Sequence, residues 1–191
     1  MNGTANLSLP HLTVDTADAR AREVLEAARA ATGGIPNMYS GMANLPALLD
    51  TYLHGYQLFR KESTLSAAEQ ELVFLVISRV NECTYCVAAH SWIADKVSKT
   101  PHQAVQAVRN DDKIEDPKLR ALAEFTRTMV LSRGNPTQAE LDAFLSAGYT
   151  RKNVLEIILA LAVKTISNYS NHLLHTEVDA KFESAAWAPK A

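Results

Sequence analysis

Apolar residues in this chain recur at intervals of three and four almost throughout, and strict alternation of apolar with polar residues is hard to find. A half-buried strand needs the alternation, whereas a helix that buries one stripe needs the wider spacing. The chain is therefore expected to be all-α. Its 191 residues and hydrophobic fraction of 47% suffice for a sizeable core in one compact unit. Residues 1–191 are accordingly read as one domain. Its core covers about 45–176, an arm and a helix precede it over 1–44, and a polar tail follows over 177–191.

Capping signals divide this pattern into elements. Asp15 or Thr16 starts a helix that runs to about Ala31 and is stopped by Thr32-Gly33-Gly34, after which Ile35-Pro36-Asn37-Met38 reads as a turn. Leu45-Pro46 opens a helix whose apolar face includes Leu49, Tyr52, Leu53, Tyr56 and Phe59, closing near Glu62. Ser66 with Glu69 three positions on is a capping box, and it introduces a helix to about Val80 so apolar that it must be central. Asn81 and Glu82 break the run. A new helix is expected from there through Val97, ending before Thr100-Pro101, with further helices over 101–109, 117–132, 137–146 and 150–176. Glu71 and Glu156 each open an aliphatic run, and at the same offset Cys83 matches Asn168, Cys86 matches Asn171 and His90 matches His175. This echo suggests a duplicated helical hairpin in which only the first copy kept its thiols.

The formal net charge is −2 and no block of Lys or Arg occurs, which excludes nucleic acid and anionic membrane as partners and favours a small substrate. The longest apolar runs, 73–77 and 157–163, are far shorter than the roughly 20 residues a membrane-spanning helix requires. The first ten residues show no basic start followed by an apolar stretch, so a cytoplasmic protein is expected. In that reducing setting, two cysteines three positions apart point to chemistry rather than to a structural disulfide.

On a helix, Cys86 lies about 60° and His90 about 20° from Cys83 in projection, so the three side chains share one face. Near a helix start, unpaired N–H groups and the positive end of the dipole favour a thiolate. Residues three apart are also about 5–6 Å apart, within the span a disulfide tolerates. The helices before and after Asn81-Glu82 should fold back on each other. Glu71 then lies about 15 Å along one arm and His90 about 12 Å along the other, so the carboxylate reaches the imidazole. Such a Glu orients His90 and raises its basicity, and His90 takes the proton from Cys86. Competing readings are two cysteines packed as small hydrophobes, or a metal held by Cys83, Cys86, His90 and Glu71. A metal normally asks for more thiol ligands than this chain offers. Tyr56, Phe59, Trp92 and Tyr169 are candidates for a pocket wall, with plain core as the alternative.

Glu71 followed by Asn81-Glu82-Cys83-Thr84-Tyr85-Cys86-Val87-Ala88-Ala89-His90 closely resembles the core motif of AhpD-like alkylhydroperoxidases of the carboxymuconolactone decarboxylase superfamily. Gly34-Ile35-Pro36-Asn37 and Leu45-Pro46 look like its peroxidase-related branch. The resemblance implies an AhpD-like helical bundle with a duplicated core, assembled as a homo-oligomer, often a trimer or hexamer. It implies a thiol-dependent peroxidase in which Cys86 is the peroxidatic thiol, Cys83 the resolving thiol, and Glu71 with His90 the proton relay. No bound cofactor or metal is implied; an external dithiol regenerates the enzyme, and in the best-known relatives this is a lipoyl group on a partner protein. Where some members have His between the cysteines this chain has Tyr85, a weaker acid and base that is at most auxiliary. Two other functions compete. One is decarboxylation or isomerisation of a small cyclic acid by His90 and Glu71, for which such relatives generally lack the CxxC; the other is a non-catalytic thiol redox sensor.

Overall fold

Ser66 starts the helix around which the others are arranged. Its hydroxyl accepts from the Glu69 amide, and the Glu69 carboxylate accepts in return from the Ser66 amide, so the capping box expected from sequence is formed. In the computed structural model, which describes residues 4–189, this helix (α4, Ala67–Val80) is buried on every side from Gln70 to Ser78. Before it come α1 (Ala19–Thr32), α2 (Asn37–Met42) and α3 (Pro46–Glu62). After it come α5 (Thr84–Ile93), which continues as a π turn over Ala94–Ser98, then α6 (His102–Asn110), α7 (Pro117–Leu131), α8 (Gln138–Ser146) and α9 (Arg151–Leu174). No strand occurs among the described residues, so the all-α expectation holds. Helices α5, α6, α7 and α9 pack around α4, and α3 lies along α9. Phe59, Phe74, Leu72, Leu122, Phe144 and Ile157 fill the space between them with almost no exposure.

The break between α4 and α5 is a Schellman motif. The Cys83 amide donates to the Ser78 carbonyl at 3.0 Å and the Glu82 amide to the Arg79 carbonyl at 3.1 Å, while Glu82 takes the left-handed conformation at φ 54°. Glycine is the usual residue there, since a side chain costs roughly 1–2 kcal/mol in that region. The motif ends one helix and starts the next without a loop, so α4 and α5 form the expected hairpin. The Asn81 amide nitrogen also ties this corner to the Asn168 side-chain oxygen on α9 at 2.9 Å.

Five expectations need correction. The second helix begins at Thr84 rather than at Asn81, so Cys83 is its N-cap and not part of the first turn. The equal spacing of Glu71 to His90 and Glu156 to His175 maps this hairpin onto one uninterrupted helix, α9, because Ile166 and Ser167 stand where Asn81 and Glu82 break the first stretch. The first cap is Asp18, and the segment read as a turn at 35–38 leads into α2. The tail does not fade out: within the described residues a 3-10 turn spans Ala180–Ala185, and Phe182 is buried. Residues 1–3 and 190–191 of the expected arm and tail lie outside the described residues. No described helix is long and apolar enough to cross a membrane.

Candidate active site

The Schellman corner sets Cys83 at the N-cap of α5 and Cys86 three residues into it, both with 1% exposure and both free thiols. The Cys83 side chain makes no capping bond to α5, and the two thiols act on each other as close neighbours. From α9, the Asn171 side-chain nitrogen lies 3.2 Å from the Cys86 sulfur and 3.7 Å from that of Cys83. One amide thus holds both thiols, as the shared helix face predicts.

Glu71 on α4 is fully buried, with Oε1 at 2.5 Å from His90 Nδ1 and Oε2 paired with the Arg60 guanidinium from α3. The hairpin therefore brings carboxylate and imidazole together where the sequence places them. Arg60 also donates to the Tyr56 hydroxyl at 3.0 Å and stacks over the Tyr56 and Phe74 rings. Burial works against ionisation of Glu71, but His90 and Arg60 outweigh it and keep the carboxyl below its usual range.

Lys164 on α9 was not anticipated. It has no exposure, and its Nζ lies 2.8 Å from His90 Nε2. An ammonium has only N–H groups to offer, so Nε2 must be the acceptor and the imidazole proton sits on Nδ1, donated to Glu71. A doubly protonated ring would set N–H against N–H. Burial, reinforced by Lys164, accordingly pushes His90 below its ordinary value despite Glu71, contrary to the expected gain in basicity. The available signal was register: Ile157, Ala160, Lys164, Ser167 and Asn171 form one stripe along α9, so Lys164 falls on its buried face.

At Cys86 burial opposes ionisation, yet the adjoining Cys83 thiol and the Lys164 charge outweigh it and pull the thiol well below its usual range. Cys83 moves the opposite way, because it adjoins Cys86 and because it is buried. Charge balance points in the same direction. Glu71 neutralises Arg60, and a Cys86 thiolate is what neutralises Lys164.

A cavity of about 70 Å³ opens onto Cys86, His90 and Lys164. Tyr39, Tyr52 and Tyr56 also line it, as does Phe182 from the tail. Tyr85, the auxiliary candidate, borders the cavity but its hydroxyl donates to Asp179 at 2.5 Å, fastening the tail over the site. Burial and then Asp179 hold that phenol protonated, well above its ordinary value. Of the other aromatic candidates, Tyr56 is in the wall, Phe59 is core against Phe74, Trp92 packs on Phe182 outside the cavity, and Tyr169 is 56% exposed.

The model of the carboxymuconolactone decarboxylase family matches residues 46–128, which include α3 to α6 and most of α7. Among solved structures, an uncharacterized peroxidase-related protein from Ralstonia eutropha JMP134, described as an alkylhydroperoxidase AhpD core, is similar at 23% identity. The match covers 91% of this chain and 93% of that one, with a TM-score of 0.79. An uncharacterized peroxidase-related protein from Silicibacter sp. TM1040 is 20% identical over 95% of both chains, with a TM-score of 0.76. The debrominase Bmp8, in a variant bound to 2,3,4-tribromopyrrole, is 16% identical over 96% of this chain and 97% of that one, with a TM-score of 0.75. No curated protein sequence matches. At these identities the structural likeness is one of fold.

Proposed function

With residues 46–128 a carboxymuconolactone decarboxylase family unit set in an AhpD-like fold, we propose that the protein is a dithiol peroxidase that reduces small hydroperoxides through Cys86 and Cys83. The observation that carries this reading is geometric: two free, buried thiols three residues apart share the Asn171 side-chain nitrogen, and Cys86 lines a cavity together with His90 and Lys164. Thiolate is the attacking form at each step, so Cys83 gives up its proton as it attacks, and that proton leaves with the sulfenic hydroxide as water. Cys86 attacks the terminal peroxide oxygen, the S–O bond forms as the O–O bond breaks, and the alcohol departs with one added proton. Cys83 then attacks the sulfenic sulfur, releasing water and leaving a Cys83–Cys86 disulfide. An external dithiol, of the lipoyl kind or another, takes up the oxidation by exchange and restores both thiols. A cavity of about 70 Å³ has room for hydrogen peroxide or a short alkyl hydroperoxide.

The test begins with reduced protein and one equivalent of hydroperoxide. Mass spectrometry should show loss of two hydrogens in the native sequence. Cys86→Ser should not react, and Cys83→Ser should stop at a sulfenic acid that dimedone traps. Sustained turnover should require added dithiol. Peroxide consumption that survives Cys86→Ser overturns the reading, as does a native protein inert to every hydroperoxide.

A further inference from the structure

Reducing a hydroperoxide leaves an alkoxide or hydroxide that needs a proton as it forms, and His90 is badly placed to give one. Its only acidic N–H is on Nδ1, 2.5 Å from Glu71, while Nε2 is held by Lys164 at 2.8 Å. Lys164 is the lining group whose loss of a proton leaves a neutral side chain, whereas burial holds the phenols of Tyr39, Tyr52 and Tyr56 protonated. It lines that space together with Cys86, it is fully buried, and its charge bears on the sulfur that must attack.

We propose that Lys164 is the catalytic acid, donating its proton to the departing oxygen while Glu71 and His90 act as positioning residues that aim its ammonium. The inference rests on the peroxidase reading and assigns a residue that reading leaves open. The cycle balances as follows. The Cys86 thiolate supplies the electron pair that forms the S–O bond, the O–O pair leaves on the alkoxide, and a Lys164 N–H proton makes it an alcohol. Lys164 is left as a neutral amine. The Cys83 proton leaves with the sulfenic hydroxide as water when the disulfide closes. Reduction by an external dithiol returns two thiols, and the Cys86 proton then passes to Lys164, restoring thiolate and ammonium. His90 keeps one hydrogen bond from Lys164 throughout, so the amine does not wander when it loses charge.

The experiment separates charge from acidity. Lys164→Arg keeps a cation beside Cys86, yet a guanidinium does not give up a proton in this range. Lys164→Gln keeps a donor to His90 with neither charge nor acidity. Single-turnover oxidation of reduced protein is followed with an alkyl hydroperoxide, whose alkoxide needs the proton, and with a peroxycarboxylic acid, whose carboxylate does not. Rates are expressed per thiolate, read from ultraviolet absorbance. Lys164→Arg should lose about 10²–10⁴-fold with the alkyl hydroperoxide, the usual range for a general acid, and less than about tenfold with the peracid. Equal loss with both oxidants overturns the assignment and leaves the peroxidase reading standing, whereas native protein inert to both oxidants sinks the peroxidase reading first. If neither variant folds, the native protein still decides. Across hydroperoxides whose leaving alcohols differ in acidity, its rate should change little, and a steep dependence means that no proton is delivered.

Discussion

Removing the Cys86 thiolate should destabilise the protein through Lys164. In Cys86→Ser the hydroxyl stays neutral near neutral pH, so a fully buried ammonium loses the anion that balances it, while Glu71 remains committed to Arg60 and His90. Breaking a buried pair by removing one partner typically costs about 3–5 kcal/mol. For a chain of this size each kcal/mol lowers the melting temperature by about 2–4 °C, so a fall of roughly 6–20 °C is expected.

Size alone does not decide the matter, because an unsatisfied buried hydroxyl can itself cost about 1–3 kcal/mol. The sign of the coupling does. Lys164→Met removes the cation and leaves His90 Nε2 without its donor, for about 1–3 kcal/mol. In Cys86→Ser with Lys164→Met no unbalanced charge remains, so the double variant should be more stable than the two single costs predict. The cost of the pair should fall short of the two single costs together by about 2 kcal/mol, within the span of measured couplings between touching residues. Urea denaturation of the four proteins under reducing conditions measures this. Additivity to within about 0.5 kcal/mol would refute the ion pair and the charge balance argued from it.

Three further outcomes are expected. The rate of Cys86 oxidation by hydrogen peroxide should persist on acidification below the ordinary thiol value of 9.0, because Cys83 and Lys164 outweigh burial and hold the sulfur ionised; an inflection at or above that value contradicts it. Asp179→Asn weakens the bond that fastens the tail, and since bonds to charged acceptors contribute about 1.5–3 kcal/mol, small alkylating reagents should label the buried thiols about 10–100 times faster. Unchanged labelling would mean that the tail does not control access. Glu71 and His90 both titrate lower in the folded chain, so between about pH 6.5 and 4 the unfolded chain takes up protons that the folded one refuses. Stability present above that window is lost as pH falls through it. The urea midpoint should therefore drop on acidification, less so in His90→Gln, and a flat native profile rules this out.

The helices and the Glu71–His90 contact were legible because each has a local cause. Capping boxes at Ser66 and Thr137 fix helix starts without help from the rest of the fold. Similar arm lengths on either side of a short break bring Glu71 and His90 within reach of each other. What stayed hidden depends on distant partners. Six residues in α2 are too few to show a period, and Asn37 is held by Asp179 and the Glu177 carbonyl from the far end of the chain. Phe182 is one of two aromatics in a largely polar tail, buried where Tyr85 and Trp92 meet it. Lys164 reads as an ordinary solvated lysine until the buried side of α9 is known.

The junction between α4 and α5 also explains how the thiols can cycle without disturbing the helices. Cys83 has the extended conformation of an N-cap, φ −80° and ψ 99°, so its backbone can adjust without unwinding a helical turn. Its amide is anchored to Ser78 on the α4 side and its carbonyl to Val87 on the α5 side, which limits that adjustment to a rotation about one residue. A disulfide needs its Cα atoms about 4.4–6.8 Å apart, and N-cap and third helical positions already satisfy this. In the proposed cycle the reorganisation therefore falls on the groups that sense the sulfurs. Asn171 loses its thiolate acceptor, and Lys164 gives up its proton when the negative charge it balances leaves with the alcohol. Both lie on α9, so oxidation and reduction register on a helix that carries neither cysteine.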